Sequence, residues 1–169
     1  MKHHSHCHSC DTKIPAGGRS CCSTCHGGCR RRYEIILTEE EAALLRLFAS
    51  SPYLPAARFV MKSSKTSHAR NIALAPVFLL SPEDDVKTAS HTAELLNSLA
   101  DKGLIEIDYQ TPLDNADEHE IKDSPLYAYF VDTVREGAEK FNSVFDIAAL
   151  ELGSMGLTAI GRRAITQLG

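Results

Sequence analysis

Cysteine is missing from residues 30–169; all six thiols fall within the first 29 residues. The sequence also lacks an apolar run of the roughly 18 residues that a transmembrane helix requires. It lacks the apolar core of an export signal behind Met1. A cytoplasmic protein with no membrane partner is therefore expected. Glycine-rich phosphate loops, nucleophile motifs and a metal set with an open coordination position are absent as well, so no catalytic residue is assigned and an enzyme is not expected. His68, His91 and His119 are scattered and read as surface histidines. An even spread of charge is the last absence. Residues 1–33 carry six basic residues against Asp11 alone, a net +5, whereas residues 34–169 carry 12 basic and 21 acidic residues, a net −9. Such a split points to two units with different surfaces.

What is present begins with Cys7-His-Ser-Cys10 and Cys22-Ser-Thr-Cys25, two short pairs separated by eleven residues. Disulfides would need an oxidising compartment, and nothing in the sequence exports the chain. Paired thiols at this spacing suit a tetrahedral ion, because a two-residue gap lets both sulfurs of a pair approach it from one tight turn. Ile14-Pro15-Ala16-Gly17-Gly18 supplies the turn that folds one pair onto the other. One structural zinc held by Cys7, Cys10, Cys22 and Cys25 is expected, closed to water and supplying the folding energy of a head too small for its own core. Cys21 with Cys25, or Cys25 with Cys29, are alternative pairs; Cys22 makes the two pairs equivalent. His4, His6 and His8 read as a polar tip or as auxiliary metal ligands. The stretch CHSCDTKIPAGGRSCCSTC resembles small bacterial zinc ribbons over about 20 residues. Asp11 and His26 stand where that family usually carries small residues.

Beyond the Arg30–Arg32 linker, the body starts with a capped helix. Thr38 precedes Glu39-Glu40-Glu41, with Glu41 at the position of a capping box, and Leu44, Leu45, Leu47 and Phe48 form an apolar face. Ala56 to Met61 reads as a short second helix, Lys62 to Asn71 as a basic loop, and Ala75 to Leu80 as a strand or helical turn. Asp84 to Lys102 reads as the longest helix, with Val86, Ala89, Ala93, Leu96 and Ala100 on one face and Gly103 as its stop. Leu104 to Tyr109 has strand character. Residues 111–124 are acidic and turn-rich, and Tyr127, Phe130, Val134, Ala138 and Phe141 then recur at helical spacing. Ala148 to Met155 reads as a second strand. Thr158 begins a final helix that would bury Ile160, Ala164, Ile165 and Leu168.

Two stretches of the body, AELLNSLADKGLIEID and GSMGLTAIGRRAI, resemble the recognition-helix end and the last wing strand of a winged helix-turn-helix domain. They imply an α+β, mainly helical fold: a zinc ribbon over 1–32 and a winged-helix-like body over 33–169. Residues 51–83 and an insertion of roughly 40 residues between the two strands depart from that family's pattern. The resemblance implies a DNA-binding transcriptional regulator, with Thr88, Ser90, His91 and Asn97 facing the bases of double-stranded DNA. Glu83-Asp84-Asp85 at the helix start and the −9 body oppose a polyanion except where cations cluster. They cluster at Arg58, Lys62, Lys65, His68 and Arg70, with a smaller group at Arg162 and Arg163. The alternative is a protein-interaction module, in which the 125–145 helix offers Tyr127, Phe130 and Phe141 to a partner or to a second copy; the plainer reading of that stripe is core packing.

Overall fold

A computed structural model describes residues 35–114 and 116–168; the four zinc-ligand cysteines assigned above lie outside these residues. Ile35–Gly169 forms a unit distinct from Met1–Glu34. In chain order the elements are α1 (Glu39–Leu47), β1 (Tyr53–Lys62), β2 (Arg70–Val77), α2 (Val86–Asp101), β3 (Ile105–Asp108), α3 (Glu118–Lys122), α4 (Pro125–Ala138), β4 (Ile147–Leu157) and α5 (Ala159–Leu168).

The four strands form one antiparallel sheet in the order β2-β1-β4-β3. The long strands β1 and β4 lie at its centre, paired without interruption from Tyr53 opposite Gly156 to Lys62 opposite Ile147. Strand residues alternate between faces. Ala56 and Met155 therefore pack with Leu44, Leu45 and Phe48 of α1, Leu96 and Leu99 of α2, and Ala164 of α5. Ala57 and Phe59 pack on the other face with Leu126, Phe130 and Val134 of α4. Phe59 stacks on Phe130 with ring centroids 4.8 Å apart and meets Tyr127 edge-on at 5.4 Å.

This architecture corrects the mainly helical, winged-helix-like body. A helix-turn-helix needs a helix directly before the long one, and the chain places the β1–β2 hairpin there. Ala56 to Met61 is the interior of a central strand. Both faces of β1 are covered, so Ala56, Ala57, Phe59 and Val60 are all buried and the alternation that marks a half-exposed strand is lost. Lys62 to Asn71 is not all loop, since its ends belong to β1 and β2. The acidic segment holds α3. Ile160 is exposed, as are Val86 and Phe141, so the apolar faces read for their helices are narrower than periodicity suggested.

Other expectations hold residue by residue. Thr38 and Glu41 close the capping box of α1. The long helix, both strands after it and the terminal helix occur where their patterns lie. Gly103 follows α2 with φ +70, a left-handed conformation that glycine adopts without steric cost. A Cβ there would touch nothing within 4 Å. Gly103→Ala is accordingly expected to cost only the backbone term, about 1 kcal/mol of unfolding free energy in a urea titration.

Candidate nucleic-acid interface

The basic cluster read from the sequence is assembled by the β1–β2 hairpin. Arg58 and Lys62 lie on one face of β1 because they are four residues apart on a strand. Arg70 opens β2 directly opposite Lys62. Lys65 and His68 lie exposed in the connecting turn. Glu151 of β4 sits opposite Arg58 and receives all three strand cations. Arg58 Nε lies 2.8 Å from Glu151 Oε2, Arg70 Nη2 2.5 Å from the same oxygen, and Lys62 Nζ 3.0 Å from Oε1. Burial alone would raise the Glu151 carboxyl; the hydrogen bonds from Lys62 and Arg58 and the charge of Arg70 outweigh it and hold the group below the usual carboxylate range. Three cations against one carboxylate leave a local surplus of two positive charges.

Tyr109, just beyond β3, closes one side of the cluster. The Arg58 guanidinium carbon stands 4.4 Å from its ring centroid, a cation–π contact. Gly153 makes room for the ring: a Cβ at that position would lie 2.9 Å from Tyr109 Cα and 3.0 Å from Cδ1. Burial pushes the Tyr109 phenol up, and the Arg58 charge offsets part of that rise.

The turn is tied down at its base. Ser63 Oγ accepts from the backbone N–H groups of Lys65 and Thr66, each at 3.2 Å. Ser64 donates its N–H to Asp146 Oδ1 at 2.7 Å and its hydroxyl to Asp146 Oδ2. The Asp146 N–H donates back to the Lys62 carbonyl at 3.1 Å. The Ser64 hydroxyl, followed by its N–H, holds the Asp146 carboxyl below the usual range.

The remaining residues of the DNA reading are not gathered here. Arg162 donates to the Leu157 carbonyl at 2.9 Å, and Arg163 lies beside it on the exposed side of α5. Leu157 ends β4, whereas Glu151 and Ile147, opposite Arg58 and Lys62, lie six and ten residues before it, which separates the two basic groups by about 20–30 Å along the strand. On α2, Asn97 donates to the Ala75 carbonyl at 3.0 Å and His91 meets Glu40 at 3.3 Å, while Thr88 is exposed and Ser90 half-buried. The start of α2 is occupied by Asp85, whose carboxylate accepts from Thr88 N at 2.8 Å. That helix end is capped by its own carboxylate, which takes the Thr88 N–H and opposes a phosphate there.

Sequence reading missed Glu151, Tyr109 and Asp146. Their roles come from strand pairing across more than 40 residues, which no local spacing encodes. The even spacing of Arg58 and Lys62 was a signal that could have placed both cations on one strand face, had Ala56 to Met61 been read as a strand. Tyr127 and Phe130 are taken up by the core, whereas Phe141 lies beyond the end of α4 and is exposed, so the three do not form one surface. A cavity of about 120 Å³ lies between Phe78, Leu152 and Ile121, well short of the roughly 300 Å³ where small-molecule pockets begin. Among the described residues no group of three or more His, Cys, Asp or Glu side chains could hold a metal, and no helix is long and apolar enough to cross a membrane.

No protein-family model matches the chain, and no curated protein matches it. Among solved structures it is similar to an uncharacterized protein from the hydrocarbon-degrading marine bacterium Alcanivorax borkumensis SK2, at 13% identity over 78% of this chain and 85% of that one, with a TM-score of 0.40. A likeness of that size bears on neither fold nor function.

Proposed function

We propose that this protein binds double-stranded DNA through the β1–β2 hairpin, in keeping with a regulatory role, and that its head carries one structural zinc on Cys7, Cys10, Cys22 and Cys25. One observation carries the DNA reading: Arg58, Lys62 and Arg70 converge on a single carboxylate at the base of a hairpin whose turn adds Lys65. A two-stranded ribbon fits the major groove, so recognition would come from the hairpin and not from α2. The −9 body repels a polyanion except where cations cluster, and the larger such cluster on it lies at this end of the sheet. The Glu151 carboxylate competes there with DNA phosphate for the same three donors.

The test is fluorescence anisotropy of the full-length chain with a labelled duplex over a series of salt concentrations. Each phosphate contact contributes about one unit to the slope of log affinity against log salt. Replacing Lys62 and Arg70 with glutamine should lower that slope by about two and weaken binding at least tenfold at low salt. Glu151→Gln should tighten binding several-fold. A cluster with only a structural role would instead lose stability in Glu151→Gln and leave binding unmoved. Absence of duplex binding at micromolar protein and low salt would overturn the proposal.

A further inference from the structure

Two carboxylates stand against the hairpin from the β4 side, and their surroundings differ. Glu151, within β4, receives Arg58, Lys62 and Arg70. Asp146, directly before β4, enters no ion pair among the described residues. Both of its oxygens are taken by one residue of the turn: Ser64 donates its N–H to Oδ1 at 2.7 Å and its hydroxyl to Oδ2. The Asp146 N–H donates to the Lys62 carbonyl at 3.1 Å, so one residue grips the hairpin chain on both sides of Ser63. Ser63 is itself buried, and its hydroxyl oxygen accepts from the N–H groups of Lys65 and Thr66.

Together these bonds fix the backbone from Lys62 to Thr66. They fix with it the root of Lys65, the exposed cation that the turn adds to the cluster. Ordering a loop at the moment of binding costs affinity, and a turn already held in place avoids that cost.

We infer that Asp146 is a positioning residue for duplex binding, holding the hairpin turn so that Lys65 meets the phosphate backbone; this rests on the DNA reading above. The two carboxylates then act in opposite senses. Glu151 competes with phosphate for the strand cations. Asp146 adds a negative charge beside the hairpin and more than offsets it by ordering the turn. Its removal separates the two effects by sign: lost charge alone would tighten binding to a polyanion, and lost position weakens it.

The test is fluorescence anisotropy of the full-length chain with a labelled duplex of mixed sequence over a salt series. Asp146→Ala should weaken binding about threefold to tenfold at low salt, although it removes a negative charge. It should also lower the slope of log affinity against log salt by about one, the share of a single phosphate contact. Lys65→Gln should lower the slope equally, and adding Asp146→Ala to it should cost little more, because both changes remove the same contact. Asp146→Asn keeps an oxygen for the Ser64 N–H and should recover most of the affinity. Ser64→Ala breaks the hydroxyl bond from the other side and leaves every charge in place. It should weaken binding in the same direction, and it decides the matter if urea titration shows Asp146→Ala to be unfolded. If folded Asp146→Ala binds as tightly as the wild type or more tightly, or if its effect adds in full to that of Lys65→Gln, the positioning role is overturned and the DNA reading stands. If the Lys62/Arg70 glutamine variant binds duplex with an unchanged slope, both are overturned.

Discussion

Glu41→Gln is expected to lower the unfolding free energy by about 2–3 kcal/mol at neutral pH and to remove the part of the acid sensitivity of the fold that this carboxylate carries. Glu41 is only 2% exposed. Its Oε1 accepts from the Ser98 hydroxyl and from Lys102 Nζ, both at 2.6 Å; Oε2 accepts from Lys102 at 2.6 Å and from Thr38 N at 2.8 Å. One carboxylate thus caps α1 and ties it to α2. Burial by itself would raise the Glu41 carboxyl. The bonds from Lys102, Ser98 and Thr38 outweigh it and bring the group from an ordinary 4.5 down to about 2. Because the folded value is depressed, the stabilisation is complete above pH 4.5 and is lost as the pH falls towards 2. The full term is on the order of 3 kcal/mol. Glutamine keeps the capping geometry but loses the charge, and Lys102, one-third exposed, can relax towards water, which keeps the cost at the lower end for a broken buried pair. Urea titrations of both proteins at pH 7, 4 and 3 check this. The gap between them should shrink steadily on acidification, and an equal gap at pH 7 and pH 3 would mean that the charge on Glu41 is not the stabiliser.

Gly161→Ala is expected to destabilise the protein by about 2–4 kcal/mol, opposite in sign to the gain of up to about 1 kcal/mol that the exchange brings in an unobstructed helix. Gly161 lies in the first turn of α5, pressed against the backbone of Leu104. A Cβ there would overlap the Leu104 carbonyl oxygen and sit 3.0 Å from the Leu157 side chain. That oxygen cannot retreat, since it accepts from Thr158 N at 3.0 Å. The Thr158 hydroxyl donates to the Gly103 carbonyl at 2.6 Å and accepts from Gly161 N at 3.0 Å. An added methyl would lift α5 off the sheet and uncover Ala164, which packs with Met155 and Leu104. Hydrogen exchange should show faster opening of residues 159–168 in the variant, alongside the lower urea midpoint. Unchanged protection there would show that the Leu104 contact does not anchor the helix.

The same geometry explains part of what was legible in the sequence. The Gly-Leu-Thr-Ala-Ile-Gly-Arg run reads as a strand entering a capped helix, and it is one, because Thr158 supplies the cap and Gly161 the clearance. Thr38 with Glu41, Gly103 and the spacing of Ala89, Ala93 and Leu96 were equally legible. Each is a local device whose partners lie within a few residues, so spacing alone encodes it. The partners of Glu41 on α2 and the exposure of Phe141 were not visible in this way.

By itself the sequence determined the positions of α1, α2, α4 and α5, two of the strands, the concentration of thiols at one end and the segregation of charge. It also determined that the cations cluster between residues 58 and 70. Only the tertiary structure decided that Ala56 to Met61 is a central strand, because burial on both faces erases the period that distinguishes strand from helix. Only the tertiary structure brought Glu151 opposite Arg58 and stacked Tyr109 on it, because cross-strand register depends on where β4 pairs, more than 80 residues further along the chain.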